Sequence, residues 1–248
     1  ALTVAYHRSR LQHTTAGKGG MLAVGLTPEE AEGLLEKYDD SVSVAAINSP
    51  GAVTLAGNQE ALEVIAQELN QENRFNKFLK VEVPYHSPVM DEIKRPLLEA
   101  LSNIKTSKTH TPLYSTVSGE LMNGGHDKHY WWQNVRQAVC FSKAVSTSLE
   151  AGYTLFLEIG PHPVLASSIL ETAKNTNFNV ASVATLIRKQ DDMQSMAQSA
   201  GKLYCAGANL DYRRYFGELG HVSLPTYPWN KKVYWAETER SKRYRLPH

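Results

Sequence analysis

The sequence predicts an α/β protein in two parts, a ferredoxin-like unit followed by a parallel α/β layer. Two observations predict it. Residues 20–83 carry strand and helix signals in the order β-α-β-β-α-β, which is the split unit of the ferredoxin-like fold. Residues 84–215 then alternate helical periodicity with short apolar runs. One of these, "TLFLEIG" (154–160), is a continuous apolar run, as expected of a strand covered on both faces.

Taken in order, residues 3–12 read as the body of a helix with no cap before it, as though the chain opens inside a fold. "MLAVGL" (21–26) is a strand. Thr27-Pro28-Glu29-Glu30 opens a helix that reaches about Tyr38: Thr27 caps, Pro28 suits the first turn and Glu30 completes a capping box. Strands over 41–48 and 52–57 flank a Ser49-Pro50-Gly51 turn. A helix from about 58 to 71 places Leu62, Ile65, Ala66 and Leu69 on one face. "FLKVEV" (78–83) is the fourth strand. A helix over 87–101 is expected to kink at Pro96. A strand at 112–117, helices at 129–138 and 142–151, the strand at 154–160, a helix at 163–174, a strand at 180–186 and a helix at 191–205 follow. The tail from Val222 is rich in aromatic and basic residues, has little periodicity and reads as an extended segment lying on another surface.

Bulk properties exclude several classes. The 248 residues, 42% of them hydrophobic, suffice for a real core. A formal net charge of +1 gives no electrostatic footprint for nucleic acid. A ferredoxin-like RNA binder would also need an aromatic stacking motif on its strands, and none is placed there. No apolar run reaches the 18 residues a membrane-spanning helix needs, and "ALTVAYHRSRLQ" does not read as a signal peptide. Two cysteines far apart, Cys140 and Cys205, argue against a disulfide framework and point to a reducing cytoplasm.

Single residues admit more than one chemistry. His86, at a strand-to-helix transition in "VPYHSPVMD", is placed for catalysis, yet it also reads as an ordinary hydrogen-bonded histidine. Its natural partner, a serine in a G-x-S-x-G elbow, is absent from these 248 residues. Cys140 lies in an apolar run and reads as structural. Arg8 and Arg10 point to different faces of one helix, so at most one aims into a cleft to hold a carboxylate. "HDKH" (126–129) lacks the converging ligands of a zinc site, His162 in "GPHPVL" is explained by a strand end and turn, and Asn48 shapes a turn. No metal is expected.

Six segments in order, "HRSRLQ…AGKGGMLAVGL", "AAINSPGAVTLAGN", "VPYHSPVMD", "YWWQNVRQAVCFSKAV", "FLEIGPHPVL" and "LPTYPWNKKVYW", together resemble the acyltransferase domain of type I polyketide synthases. The malonyl-CoA:carrier-protein transacylases share the core but lack the last segment. The resemblance covers nearly the whole chain. It implies an α/β-hydrolase-like large subdomain with the ferredoxin-like subdomain inserted in it. Residues 1–19 would end the first part of the large subdomain, 20–83 form the small one, 84–215 return to the large one, and 216–248 form the linker after it. The family's serine elbow, Gly-His-Ser-x-Gly, is expected upstream of residue 1, with an oxyanion-hole glutamine.

The resemblance also implies roles. His86 matches the catalytic histidine. Arg8 matches the arginine that pairs with the extender carboxylate, with Arg10 second. Asn134 matches a position whose backbone carbonyl holds the histidine ring. Acyl-CoA is the implied substrate and the phosphopantetheine thiol of an acyl carrier protein the acceptor, with no bound cofactor. Pro84 and Tyr85 depart from the family: Val83-Pro84-Tyr85-His86 matches neither the His-Ala-Phe-His of malonyl enzymes nor the Tyr-Ala-Ser-His of methylmalonyl enzymes. A bulky Tyr85 crowds an α-methyl group, so malonyl is favoured. Tyr227, Trp229, Tyr234 and Trp235 are the implied anchors of the linker on the ketosynthase of the same polypeptide, and "YRLPH" resembles the approach to a following domain. The competing reading is a non-catalytic docking module of a megasynthase.

Overall fold

In the computed structural model, which describes residues 1–38, 41–217, 220 and 223–245, the first element is helix α1 (Leu2–His13), with Val4, Leu11 and Gln12 buried. Arg8 sits four residues from Val4 and from Gln12, on that inward face. Arg10 lies roughly 200° around the helix from Arg8 and is exposed.

The ferredoxin-like unit follows as expected from its alternation. Strand β1 (Gly20–Val24), helix α2 (Pro28–Leu35), strands β2 (Val42–Ser49) and β3 (Ala52–Gly57), helix α3 (Gln59–Gln71) and strand β4 (Asn76–Phe78) build it. The strands are ordered β4-β1-β3-β2 and all pairs are antiparallel. The Thr27–Glu30 capping box is formed on both sides. Asn58 caps α3 through Ala61 N, and Leu62, Ile65, Ala66 and Leu69 are buried as their spacing predicts. They pack with Leu22, Val24, Val53 and Leu55 from one face of the sheet.

The fourth strand is shorter and earlier than expected. Leu79 N still bonds to Met21 O, but Val81 N turns back onto Leu79 O, and the chain leaves the sheet. Glu82 O instead accepts from Gly17 N, and Val83 enters the core of the second region. Gly19 sits under this departing segment. A Cβ there would lie 2.2 Å from Gly57 O and 3.2 Å from Pro84 Cβ, so only glycine allows the approach. The turn after α1 is thereby fixed to the segment that carries His86.

The expected helix over 87–101 is instead a 3-10 segment, Pro88–Ile93, followed by α4 (Lys94–Ala100). The break comes ahead of Pro96 rather than at it. Pro96 then falls in the first turn of α4, where a backbone N–H has no intrahelical partner to lose. A short hairpin of β5 (Leu113–Tyr114) and β6 (Leu121–Met122) replaces the longer strand expected at 112–117. Asp127 caps α5 (Lys128–Arg136) by accepting from His129 N and Tyr130 N. Strand β7 (Val139–Cys140) pairs in parallel with β2, which extends the ferredoxin-like sheet to five strands. Val4, Leu11, Met90, Leu97, Trp132 and Val135 form the core between α1, α4 and α5.

Helix α6 (Phe141–Glu150), strand β8 (Leu155–Glu158), helix α7 (Ala166–Asn175), strand β9 (Ala181–Ala184) and helix α8 (Asp192–Cys205) complete the first unit, Ala1–Asn209. β8 and β9 are parallel, as the alternation predicts. β8 is not covered on both faces, however: Phe156 packs on Val145, Leu149 and Ile169, while Leu157 is 42% exposed. β9 is the only strand paired with it among the described residues.

The second unit, from Leu210, holds α9 (Tyr212–Phe216), an extended stretch and α10 (Glu239–Arg245). Tyr227, Trp229, Tyr234 and Trp235 are exposed, and the Tyr227 and Trp229 rings meet edge to face at 4.7 Å. Residues 246–248 of the "YRLPH" segment lie outside the described residues.

Candidate active site

Three elements converge on one polar junction: the inward face of α1, the turn at residues 83–87, and the C-terminal end of α5. His86 sits on the turn with φ at +63°, in the left-handed region that a side chain rarely adopts. Buried Ser87 holds the turn by donating its Oγ–H to Pro84 O at 2.7 Å. A strained backbone at a histidine is the kind of outlier that marks a site, because the surroundings must hold it there.

His86 Nδ1 lies 2.8 Å from the Gln137 carbonyl oxygen. A carbonyl only accepts, so Nδ1 carries the proton, and in the neutral ring Nε2 keeps its lone pair. That is the tautomer of a general base. Desolvation holds the imidazole below its ordinary value. The Gln137 bond opposes this, and the positive charge of Arg8 adds to it. The neutral, proton-accepting ring therefore persists to lower pH than a free histidine's.

The carbonyl that holds the ring belongs to Gln137, not to Asn134 as the resemblance implied. Gln137 leaves α5 with an extended backbone (φ −78°, ψ 157°), and β7 anchors the next residues on β2. Its carbonyl is thus outside the helix and fixed from both sides. Asn134 serves the site differently: its Oδ1 accepts from Arg8 Nη1 at 2.7 Å. Asp91 and Arg136 add an exposed ion pair at 3.1 Å between the 3-10 segment and α5.

Arg8, not Arg10, faces the junction. Its Nε donates to Gln12 Oε1 at 3.2 Å and its Nη1 to Asn134. Arg10 instead lies over the Tyr6 ring, 6.0 Å from its centre. Burial pushes the Arg8 guanidinium below its ordinary value, with the Tyr85 phenol opposing. It remains a cation. Among the described residues no carboxylate pairs with it: both partners named are neutral. A half-buried cation with neutral partners is poised for an anionic ligand. Of its five N–H donors two are engaged, and five minus two leaves three for a carboxylate. A cavity of about 440 Å³ is lined by Arg8, Gln12, Val83 and Tyr85. A larger one, about 640 Å³ between the first turn of α1 and residues 103–109, does not include Arg8, and His86 lines neither cavity.

Tyr85, half-buried, packs on Met21, Ala45 and Ala56 of the sheet and also against the α1–α4–α5 core. Pro84 is buried against Gly19. Other candidates take structural places. The Asp127 carboxylate is occupied as the α5 cap, and His126 packs on Tyr130 and Trp131. Among the described residues no group of three His, Cys, Asp or Glu side chains is placed to hold a metal. His162 Nδ1 accepts weakly from Arg188 N at 3.4 Å, and Glu158 caps the start of α7 through Val164 N and Leu165 N. Asn48 donates across the hairpin to Thr54 Oγ1. Among the described residues no helix is long and apolar enough to cross a membrane.

Gln12 and Gln137 are the site residues not singled out from the sequence. Gln12 had a signal, its i+4 spacing from Arg8 on one helix. Gln137 became visible only with the true end of α5 at Arg136.

Comparison with known proteins bears on the whole chain. The family model described as "Acyl transferase domain" matches residues 1–210. Mycoketide-CoA synthase of Mycobacterium tuberculosis is 34% identical over 245 residues, covering 97% of this chain and 6% of that protein. Erythronolide synthase EryA3 of Saccharopolyspora erythraea is 33% identical over 244 residues, covering 96% of this chain and 8% of that protein. Among solved structures, the acyltransferase domain from module 8 of the salinomycin polyketide synthase superposes with a TM-score of 0.83 at 26% identity, over 85% of this chain and 50% of that one. A malonyl CoA-acyl carrier protein transacylase from Clostridium perfringens gives 0.71 at 25% identity, over 83% and 64%. The chain thus spans a small part of the synthases and half to two thirds of these solved proteins.

Proposed function

The chain belongs to the acyl transferase domain family of polyketide synthases, and on that premise we propose that it supplies the general base and the carboxylate clamp of an extender-unit transfer. Its fold is α/β-hydrolase-like with a ferredoxin-like subdomain. The observation that carries the proposal is a correctly tautomerised His86 that feels the charge of a half-buried Arg8, which itself has no anionic partner among the described residues.

The reaction is acyl transfer in two halves. His86 Nε2 takes the proton of a serine, supplied by polypeptide outside residues 1–248, as that serine attacks the thioester carbonyl of an acyl-CoA. The carbon–sulfur bond breaks, the imidazolium returns its proton to the leaving CoA sulfur, and an acyl-serine remains. The thiol of a carrier protein's phosphopantetheine then gives its proton to His86 and attacks the ester. The serine oxygen leaves and recovers the proton. Throughout, the Gln137 carbonyl stabilises the imidazolium in the place an aspartate takes in other triads. Asn134 and Gln12 hold Arg8, whose remaining N–H groups grip the free carboxylate of a malonyl group. Tyr85 beside this cavity favours malonyl over methylmalonyl, a margin of about 1–3 kcal/mol for one methyl.

The same reading assigns residues 1–19 and 84–215 to the large subdomain, 20–83 to the small one and 216–248 to a linker. Tyr227, Trp229, Tyr234 and Trp235 then anchor that linker on a ketosynthase, consistent with their exposure. An acyl carrier protein is the second partner, and the cytoplasm is the compartment, consistent with two free cysteines.

The test uses the complete domain that contains this chain and labelled malonyl-CoA. His86→Ala is expected to cut acyl-enzyme formation by about 10²–10⁴-fold, the range for a general base. Arg8→Ala is expected to erase the preference for malonyl- over acetyl-CoA. Normal labelling in the first variant, or an unchanged preference in the second, refutes the corresponding role.

A further inference from the structure

Gln12 is 5% exposed. Its Oε1 accepts from Arg8 Nε at 3.2 Å, while its Nε2 is buried with no hydrogen-bond partner among the described residues. The amide orientation follows from this pair of facts. Turned over, it would set N–H against N–H at Arg8; as it stands, it leaves the two N–H donors of Nε2 unsatisfied. A buried donor without a partner is costly, and a side chain serving packing alone would be apolar and carry no such group. The uncompensated Nε2 therefore marks a demand made by Arg8 for an acceptor at that place.

Arg8 has a second acceptor, Asn134 Oδ1 at 2.7 Å from Nη1, reached from α5. The two bonds hold the guanidinium at Nε and at one Nη, from different elements. A planar fork held at two points has its rotation fixed, and with it the directions of its remaining N–H groups. We propose that Gln12 is a positioning residue for extender selection: it fixes the Arg8 fork so that the free N–H groups meet a carboxylate in bidentate geometry. The inference rests on Arg8 being the carboxylate clamp.

The experiment measures the ratio of kcat/KM for malonyl-CoA to that for acetyl-CoA in the complete domain, for Gln12→Met, Arg8→Ala and the double variant. Methionine keeps the length and volume of Gln12 and removes the acceptor. The ratio is expected to fall about tenfold in Gln12→Met, the scale of one lost hydrogen bond to a charged group. In the Arg8→Ala background the same substitution is expected to change the ratio no further, because Gln12 acts through Arg8. An unchanged ratio in Gln12→Met while Arg8→Ala lowers it overturns the positioning role and leaves the clamp standing. A fall of equal size in both backgrounds also overturns it. An unchanged ratio in Arg8→Ala overturns the clamp itself. If Gln12→Met does not accumulate as folded protein, Gln12→Asn provides the same reading, since it withdraws the amide by one methylene without adding bulk.

Discussion

In the core of the ferredoxin-like unit the holding contacts are apolar and lie within residues 22–69; at the Arg8–His86 junction they are polar and join distant segments. The sheet core of Leu22, Val53, Leu55, Leu62 and Ile65 contains no charged group. The junction depends on bonds from Arg8 to Asn134, 126 residues away, and from His86 to Gln137, 51 residues away. The difference is one of purpose as well as force. Burial is non-directional and tolerates adjustment, whereas a hydrogen bond to a charged group fixes an angle. The chain uses the first to build a platform and the second to aim two side chains.

This contrast breaks first, if it is wrong, under a core substitution. Leu55→Ala, at a fully buried position, is expected to lower unfolding stability by about 2–5 kcal/mol. Denaturant unfolding reads that loss, and the malonyl/acetyl ratio of the surviving folded enzyme should not move. A ratio that falls in step with stability would mean that the platform and the junction are not separable. Tyr85→Ser probes the residue that touches both regions. Relieving its bulk is expected to raise methylmalonyl relative to malonyl transfer by about tenfold, within the 1–3 kcal/mol worth of a methyl group. Equal use of the two substrates before and after would remove Tyr85 from specificity.

The smallest effect sharpens the electrostatic side. Arg8→Gln removes a positive charge that lowers the His86 pKa. The imidazolium then becomes easier to form, so the His86 pKa rises and the acid limb of the pH profile moves to higher pH. Acetyl-CoA is the substrate to use, because it needs no carboxylate clamp. A limb that stays in place or moves to lower pH contradicts the coupling. Desolvation, the larger cause, remains in the variant, so the base stays below its ordinary value.

How much was legible in advance follows the same division. The Thr27–Glu30 box and the Leu62, Ile65, Ala66, Leu69 stripe are written in spacing, and both formed. "FLKVEV" misled because its apolar alternation persists after Phe78, whereas the chain is drawn off the sheet by Gly17 and Val83, contacts that no local pattern encodes. The Pro96 break moved upstream because α4 could start at Lys94 and place proline in its first turn. At the junction, Arg8 and His86 were reachable through their motifs. The acceptor of His86 was not: the carbonyl of Gln137 has no side-chain signature, and its use depends on where α5 stops.

The parallel pair of β2 with β7 has a consequence for engineering. Ala46 faces Val139 and Ile47 faces Cys140 in one ladder, only two residues beyond the carbonyl that steadies His86. A graft that exchanges residues 20–83 for the equivalent piece of a relative therefore cuts through a shared ladder, not around a free-standing insert. Donor pieces that present the same edge at 46 and 47 should give active hybrids. Those that shift it by a residue should yield folded hybrids whose base is out of tune.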